Sequence, residues 1–255
     1  MTVLQREVAH TMGMPISLVL RGRWADTPRG QAAWADAMAD LRWVDLTFST
    51  YRSDSWVSRL ARQEVALDDC PPEVGQVLAL GARAEQDSAG AFSCWLPDPD
   101  GRPRLDPTGV VKGWAIDLAA RHLATLDDTD WCLSAGGDLR AHADEDRPAW
   151  RIGIEHPTHP DRVLAVVPVH RGAVATSGTS HRGAHLVDAR TGAAPAWMRQ
   201  VSVVAPTAVE ADIDATAAYA LGADGAAWLR ARGRYAVVVP AEGDTHVVGA
   251  AGVEA

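Results

Sequence analysis

The sequence predicts an α+β fold, in which helices and strands come in blocks. Two observations lead there. The first half carries Ala-rich, proline-initiated helical stretches, and the second half turns to short β-branched runs bounded by Gly and Pro, without a strict strand–helix alternation. With 255 residues, 47 % of them hydrophobic, the chain can also bury a substantial core, as one large domain or two fused lobes. The expectation is a single domain spanning residues 1–255.

Each element has a local reason. Ile16 to Leu20 alternates enough for a strand. Thr27-Pro28 supplies an N-cap and first helical residue, opening a helix that runs to about Phe48. Pro71-Pro72-Glu73 opens another, to about Ser88, with Gly90 ending it. Val110 to Leu126 is a third, and its N-terminus beside Gly109 directs backbone N–H groups at any anion there. Strands are expected at Ala149–Ile154, Val163–Val169, Ala173–Thr176, His185–Val187 and Val201–Ala205. A helix from Thr207 to Leu221 stops at Gly222, a shorter one covers Gly225 to Arg232, and Tyr235–Pro240 is a buried strand. Asp98 to Pro103 is a turn-rich loop.

Composition narrows the function. A net charge of −9 argues against broad binding to nucleic acid or anionic membranes, and requires local cations for any anionic ligand. No apolar run approaches the roughly 20 residues that span a bilayer, and the first residues are too polar for a signal-peptide core. The expected location is the cytoplasm. Cys70, Cys94 and Cys132 are an odd, widely spaced set that fits neither a disulfide framework nor a zinc site. Ten Trp stand against two Phe and three Tyr; Trp34, Trp43, Trp114 and Trp228 fall in helical stretches and are expected to pack in the core.

Chemistry concentrates in a few segments. In Glu210-Ala-Asp-Ile-Asp-Ala-Thr216, Asp212 and Thr216 stand one helical turn apart on one face, as two hard oxygen ligands that leave most of an octahedral shell to water and phosphate. A first-turn acid complementing the helix dipole and a core-facing Thr explain the same spacing. Asp214 points about 200° away. Upstream lie Leu105-Asp-Pro-Thr-Gly-Val-Val-Lys-Gly-Trp-Ala-Ile-Asp117, Ala135-Gly-Gly-Asp138, Thr176-Ser-Gly178 and His185-Leu-Val-Asp-Ala-Arg-Thr-Gly192. Lys112 is the only lysine among 24 basic residues, in a chain that otherwise uses Arg. His185 is either a proton acceptor or a structural imidazole. Gly136-Gly137-Asp138 reads as a tight turn, Thr176-Ser177-Gly178 as a Ser/Thr turn or a cleft cap whose hydroxyls reach a phosphate, and Asp188 with Thr191-Gly192 as turn formers.

In this order, and with Met12-Gly13 and Phe48-Ser-Thr-Tyr-Arg-Ser-Asp-Ser55 before them, these segments resemble the FAD:protein FMN transferases, the ApbE-like family, from about Met12 to about Gly249. The resemblance implies a fold related to the T-fold: antiparallel sheets with flanking helices, and a nucleotide cleft between two fused lobes. It implies Mg²⁺ held by Asp212, Thr216 and the main-chain oxygen of Gly109. FAD would be lined by Met12, Tyr51, Ala91, Phe92, Ser93, Asp106, Lys112 and Leu186. The implied reaction moves FMN from FAD to a Ser or Thr hydroxyl of an acceptor protein and releases AMP, with Asp212 and His185 as catalytic groups. An FAD pyrophosphatase giving FMN and AMP, or a flavin-binding carrier, are the alternatives. The family's G-A-F-D-P-T becomes Gly90-Ala-Phe-Ser-Cys-Trp95, which loses the acid at Ser93; Ala61 and Ala189 replace an Asn and a Pro, and the loop around Asp98–Arg104 is short.

Overall fold

The computed structural model describes residues 3–98, 100–178 and 186–249. The chain opens with strands β1 (Leu4–Thr11) and β2 (Met14–Gly22), then helices α1 (Pro28–Phe48), α2 (Trp56–Ala61) and α3 (Pro72–Asp87). A small hairpin, β3 (Trp95–Pro97) with β4 (Pro103–Leu105), leads into α4 (Thr108–Leu123). Strands β5 (Thr129–Ala135), β6 (Asp138–His142), β7 (Trp150–His156), β8 (His159–Val169), β9 (Arg171–Gly178) and β10 (Met198–Ala205) follow. Helices α5 (Ala208–Leu221) and α6 (Gly225–Ala231) precede β11 (Tyr235–Pro240) and β12 (His246–Val248).

Eight strands form one sheet in the order β1-β2-β5-β6-β9-β10-β11-β12, and every neighbouring pair is antiparallel. The expected α+β architecture of antiparallel sheet with flanking helices is what the chain adopts. The sheet is covered on both faces, as the period-2 alternation of its strands requires. Ala173 and Ala175 of β9, with Ile16, Leu18 and Leu133, pack towards Leu41, Val44, Ile116 and Leu123 of α1 and α4. Between them, Val174 faces the other way and joins Leu139, Val204 and Val237 under Ile154, Val167 and Val169 of the β7–β8 hairpin. A third cluster sets Tyr219 and Leu229 of α5 and α6 on Val201, Val203 and Val238. Each fully buried aliphatic side chain in these layers contributes about 1.5–3 kcal/mol.

Local chemistry sets the helix ends. Thr27 Oγ1 accepts the Gly30 N–H and Pro28 takes the first helical position, as expected. Thr207 caps α5 in the same way, and Gly222, with φ of 61°, closes it. Trp43, Phe48 and Trp114 form one aromatic cluster, with centroids 5.5 to 6.5 Å apart, which accounts for two of the helical tryptophans.

Several strands escaped the sequence reading. Strand β1 is an edge strand in which Gln5, Arg6, Glu7, His10 and Thr11 are polar, so it resembles a solvated segment. Strand β5 begins in the acidic run Asp127-Asp128-Thr129-Asp130, which looks like a turn. There Asp130 is fully buried, between Arg21 at 2.7 Å and Arg147 at 3.2 Å. Strand β9 continues through Gly178, so Thr176-Ser177-Gly178 is strand and not a turn. No strand forms at Leu186–Val187. Among the described residues no helix is long and apolar enough to cross a membrane.

Candidate active site

Helices α4 and α5 pack closely, and glycine makes this possible. A Cβ at Gly113 would lie 2.5 Å from the Ala208 carbonyl oxygen and 2.7 Å from Val209 Cα. The approach is locked by Asp117. Its carboxylate accepts the Ala208 N–H at 3.0 Å and the Val209 N–H at 2.9 Å, capping the first turn of α5, and binds Arg140 at 2.8 Å. The register of α5 against α4 is thereby fixed, and with it the height of Asp212 and Thr216.

At this junction a cleft of about 330 Å³ opens. Its polar end holds Gly109 and Lys112 of α4, Asp212 and Thr216 of α5, Asp138 of β6 and Ser177 of β9. A second wall is apolar, with Ile152 and Ile154 of β7 among its members, and Ala91, Phe92, Ser93, Asp106 and Leu186 also line the cleft.

The electrostatics are unusual at the polar end. Asp212 and Asp138 are almost fully buried, and one ammonium serves both: Lys112 Nζ lies 2.5 Å from Asp138 Oδ2 and 3.5 Å from Asp212 Oδ1. Asp212 Oδ2 accepts the Gly113 N–H at 2.9 Å. Desolvation pushes the Asp212 carboxyl up to about 7, against the pull of Lys112, and the Asp138 charge adds to the rise. Asp138 Oδ1 accepts the Thr176 N–H at 3.0 Å, while Thr216 Oγ1 and Ser177 Oγ are hydrogen-bonded at 3.0 Å.

The donor set fits Mg²⁺. Among the described residues no group of three or more His, Cys, Asp or Glu forms that could hold a metal. The polar end offers the Asp212 and Asp138 carboxylates, the Thr216 and Ser177 hydroxyls and the backbone oxygen of Gly109, a hard, all-oxygen set. Two buried carboxylates share one ammonium, so a divalent cation at Asp212 would balance a charge that burial otherwise penalises.

Of the residues expected to line FAD, Ala91, Phe92, Ser93, Asp106, Lys112 and Leu186 do border the cleft. Asp106 has a second task, since its Oδ1 accepts the Thr108 N–H and hydroxyl at the start of α4. Met12 and Tyr51 are not among the lining residues. Met12 sits in the β1–β2 turn at φ of 54° and packs on the core, and Tyr51 is 96 % exposed on the turn after α1. The sequence match places them by order alone. His185 lies outside the described residues; Leu186, its neighbour, borders the cleft. Asp188 turns the chain as expected, accepting the Gly192 N–H through its carbonyl at 2.7 Å and pairing with Arg190.

Asp138 and Ser177, turn formers on the sequence pattern, belong to the polar end. The usable signal was a carboxylate directly after Gly136-Gly137, whose φ of 58° and 99° form a two-residue hairpin pairing Ala135 with Asp138. Asp138 is therefore a strand residue, with a side chain committed to one face of the sheet.

An α+β fold with a cleft that sets one lysine, two aspartates and two hydroxyls at one end against an apolar wall is built as a small-molecule site. The family model for ApbE matches residues 94–239, and the chain belongs to the ApbE family. It is similar to the FAD:protein FMN transferase of Haemophilus influenzae, with 24% identity over 89% of this chain and 83% of that protein. The Escherichia coli K12 FAD:protein FMN transferase is 31% identical over 55% of this chain and 44% of its own length. Among solved structures, the Pseudomonas stutzeri flavinyl transferase ApbE in its apo form superposes with a TM-score of 0.79 at 25% identity, covering 97% of this chain and 94% of that one. The flavin transferase ApbE from Vibrio cholerae shares the fold, with a TM-score of 0.82 at 19% identity over 97% of this chain and 98% of that one.

Proposed function

We propose that this chain is a Mg²⁺-dependent FAD:protein FMN transferase that moves FMN from FAD to a Ser or Thr hydroxyl of an acceptor protein and releases AMP. The observation that carries the reading is the meeting of Asp212, Thr216, Gly109 and Lys112 at one end of a cleft with an apolar wall. The apolar wall suits a planar ring system and the polar end suits a pyrophosphate. The names of the similar proteins support the same activity.

The acceptor oxygen forms a bond to the phosphorus carrying riboflavin, the bridging P–O bond breaks, and the bridging oxygen leaves with AMP. Lys112 offsets the charge on the phosphates as a compact ammonium. Asp212, Thr216 and the Gly109 carbonyl would hold Mg²⁺, which when bound supplies charge neutralisation at the pyrophosphate. His185 takes the acceptor proton in this reading, supported by the resemblance of the segment from His185 to Gly192 to the family pattern. The whole chain serves as one catalytic unit, since one sheet runs from β1 to β12. Cys70, Cys94 and Cys132 are free thiols, which suits a reducing compartment and supports a cytoplasmic reading.

The test is incubation with FAD, Mg²⁺ and candidate flavoprotein subunits, followed by mass spectrometry. An FMN adduct on the subunit is expected. Free FMN and AMP without adduct would replace the transferase by a pyrophosphatase, and unchanged FAD would leave a binding protein.

A further inference from the structure

The segment between α3 and β3 hangs from the last turns of α3 by a web of hydrogen bonds. Gly90 N–H donates to the Glu85 carbonyl at 2.8 Å, Ala91 N–H to the Ser88 carbonyl at 3.1 Å, and Phe92 N–H to Ser88 Oγ at 3.0 Å. Ser88 is itself buried, so this web holds Ala91, Phe92 and Ser93 in place along the cleft. Glu85 then reaches the segment with its side chain. Ser93 Oγ lies 2.8 Å from Glu85 Oε2, and the Trp95 N–H donates to Ser93 Oγ at 3.0 Å.

Counting donors and acceptors gives this serine a fixed polarity. A hydroxyl has one proton to give and two lone pairs that receive. An ionised carboxylate only accepts, so the Ser93 proton is committed to Glu85. The Trp95 N–H fills one lone pair. One lone pair remains, on an oxygen made more negative by the carboxylate behind it. An unconstrained serine would serve a donor or an acceptor equally; Ser93 offers only an acceptor. We infer that Glu85 and Ser93 together form a donor-reading contact of the cleft, in which Glu85 is a positioning residue that fixes Ser93 Oγ as an acceptor for an N–H or O–H of the bound dinucleotide. A carbonyl or phosphoryl oxygen at the same place would meet a lone pair and be disfavoured. The resemblance to the G-A-F-D-P-T pattern places an acid at the position of Ser93, and Glu85 supplies a carboxylate one hydrogen bond further back. The inference rests on FAD being the ligand. FAD offers donors on both halves: the amino group and ribose hydroxyls of the adenylate, and the ring imide and ribityl hydroxyls of the FMN.

The test is titration of FAD, AMP and FMN separately into wild type, E85A, S93A, S93A/E85A and S93D/E85A, with melting temperatures recorded in parallel. E85A leaves the Ser93–Trp95 hydrogen bond in place, so it separates the contact from the fold. E85A and S93A should each weaken FAD by about 3–10-fold. The double variant should be no weaker than the worse single one, because both remove the same contact. S93D/E85A should return to within about twofold of wild type, since a carboxylate at position 93 is an acceptor without help. The loss should appear with AMP or with FMN but not with both, which identifies the half that is read. Unchanged FAD affinity in E85A and S93A would overturn the inference. So would an E85A loss that persists undiminished in the S93A background, or a failure of S93D/E85A to recover. Wild type that binds no FAD removes the proposed function as well, whereas normal FAD binding with indifferent variants removes this contact alone.

Discussion

Two aspartates two residues apart on α5 are both buried, and they do opposite things. Asp214 is fully buried on the face towards α6 and β11, where Arg232 Nε lies 3.0 Å and Arg234 Nε 2.5 Å from its two oxygens. Asp212 is 2 % exposed on the cleft face and shares a single ammonium with Asp138. Burial raises both carboxyls above the usual range, Asp212 to about 7, and at Asp214 the two guanidiniums oppose the rise. The difference teaches where to look for chemistry on a helix. A buried acid held by two guanidiniums, which also reach Asp87 and Glu210, ties elements together; a buried acid that shares one ammonium is the one to test for a cation brought from outside.

The largest test of that contrast is Asp212→Asn. It keeps the shape and removes the charge, so FMN transfer should fall about 10²-fold or more, while the metal-free melting temperature holds or rises. Normal turnover across a Mg²⁺ titration would dissolve the contrast. Asp214→Asn should give the reverse pattern. It leaves two guanidiniums facing an amide, and because those arginine side chains are 30% and 14% exposed, water limits the cost to about 2–3 kcal/mol. Urea unfolding should report the loss, with activity per folded molecule close to wild type.

A smaller effect is expected at Asp117, which acts on both faces by holding the start of α5. Asp117→Asn retains one acceptor oxygen for two N–H groups and should cost about 1 kcal/mol. Mg²⁺ affinity should weaken a fewfold by calorimetry, because the helix that carries Asp212 and Thr216 is less firmly held. An unchanged unfolding midpoint would remove Asp117 from this role. The smallest effect is a pH dependence. The folded carboxyl of Asp212, at about 7, lies above its unfolded value of about 3.9. Between those values the native state keeps a proton that the unfolded chain has lost, so this group's contribution to metal-free stability falls as pH rises through that window. Mg²⁺ must displace the proton, and the rise in melting temperature on adding Mg²⁺ should be larger at pH 8 than at pH 6. An equal shift at both values would show that Asp212 is already ionised without metal.

Local rules were enough to read much of this molecule in one dimension. The helices at Pro28, Pro72 and Ala208 announce themselves through Thr27, Pro71-Pro72 and Thr207, because caps and proline act within a few residues. Asp212, Thr216, Gly109 and Lys112 could be singled out from the order of segments that share them, and Asp214 was set apart by helical geometry alone. The sequence could not supply partnership across distance. That Asp138 shares the ammonium of Lys112, that Asp117 caps a helix 91 residues later, and that Glu85 stands behind Ser93 depend on how α3, α4, α5 and the sheet pack. Met12 and Tyr51 are matched by order along the chain alone, and the cleft walls do not include them. A buried charge is affordable only beside its partner, and which residue becomes that partner is fixed by packing in three dimensions.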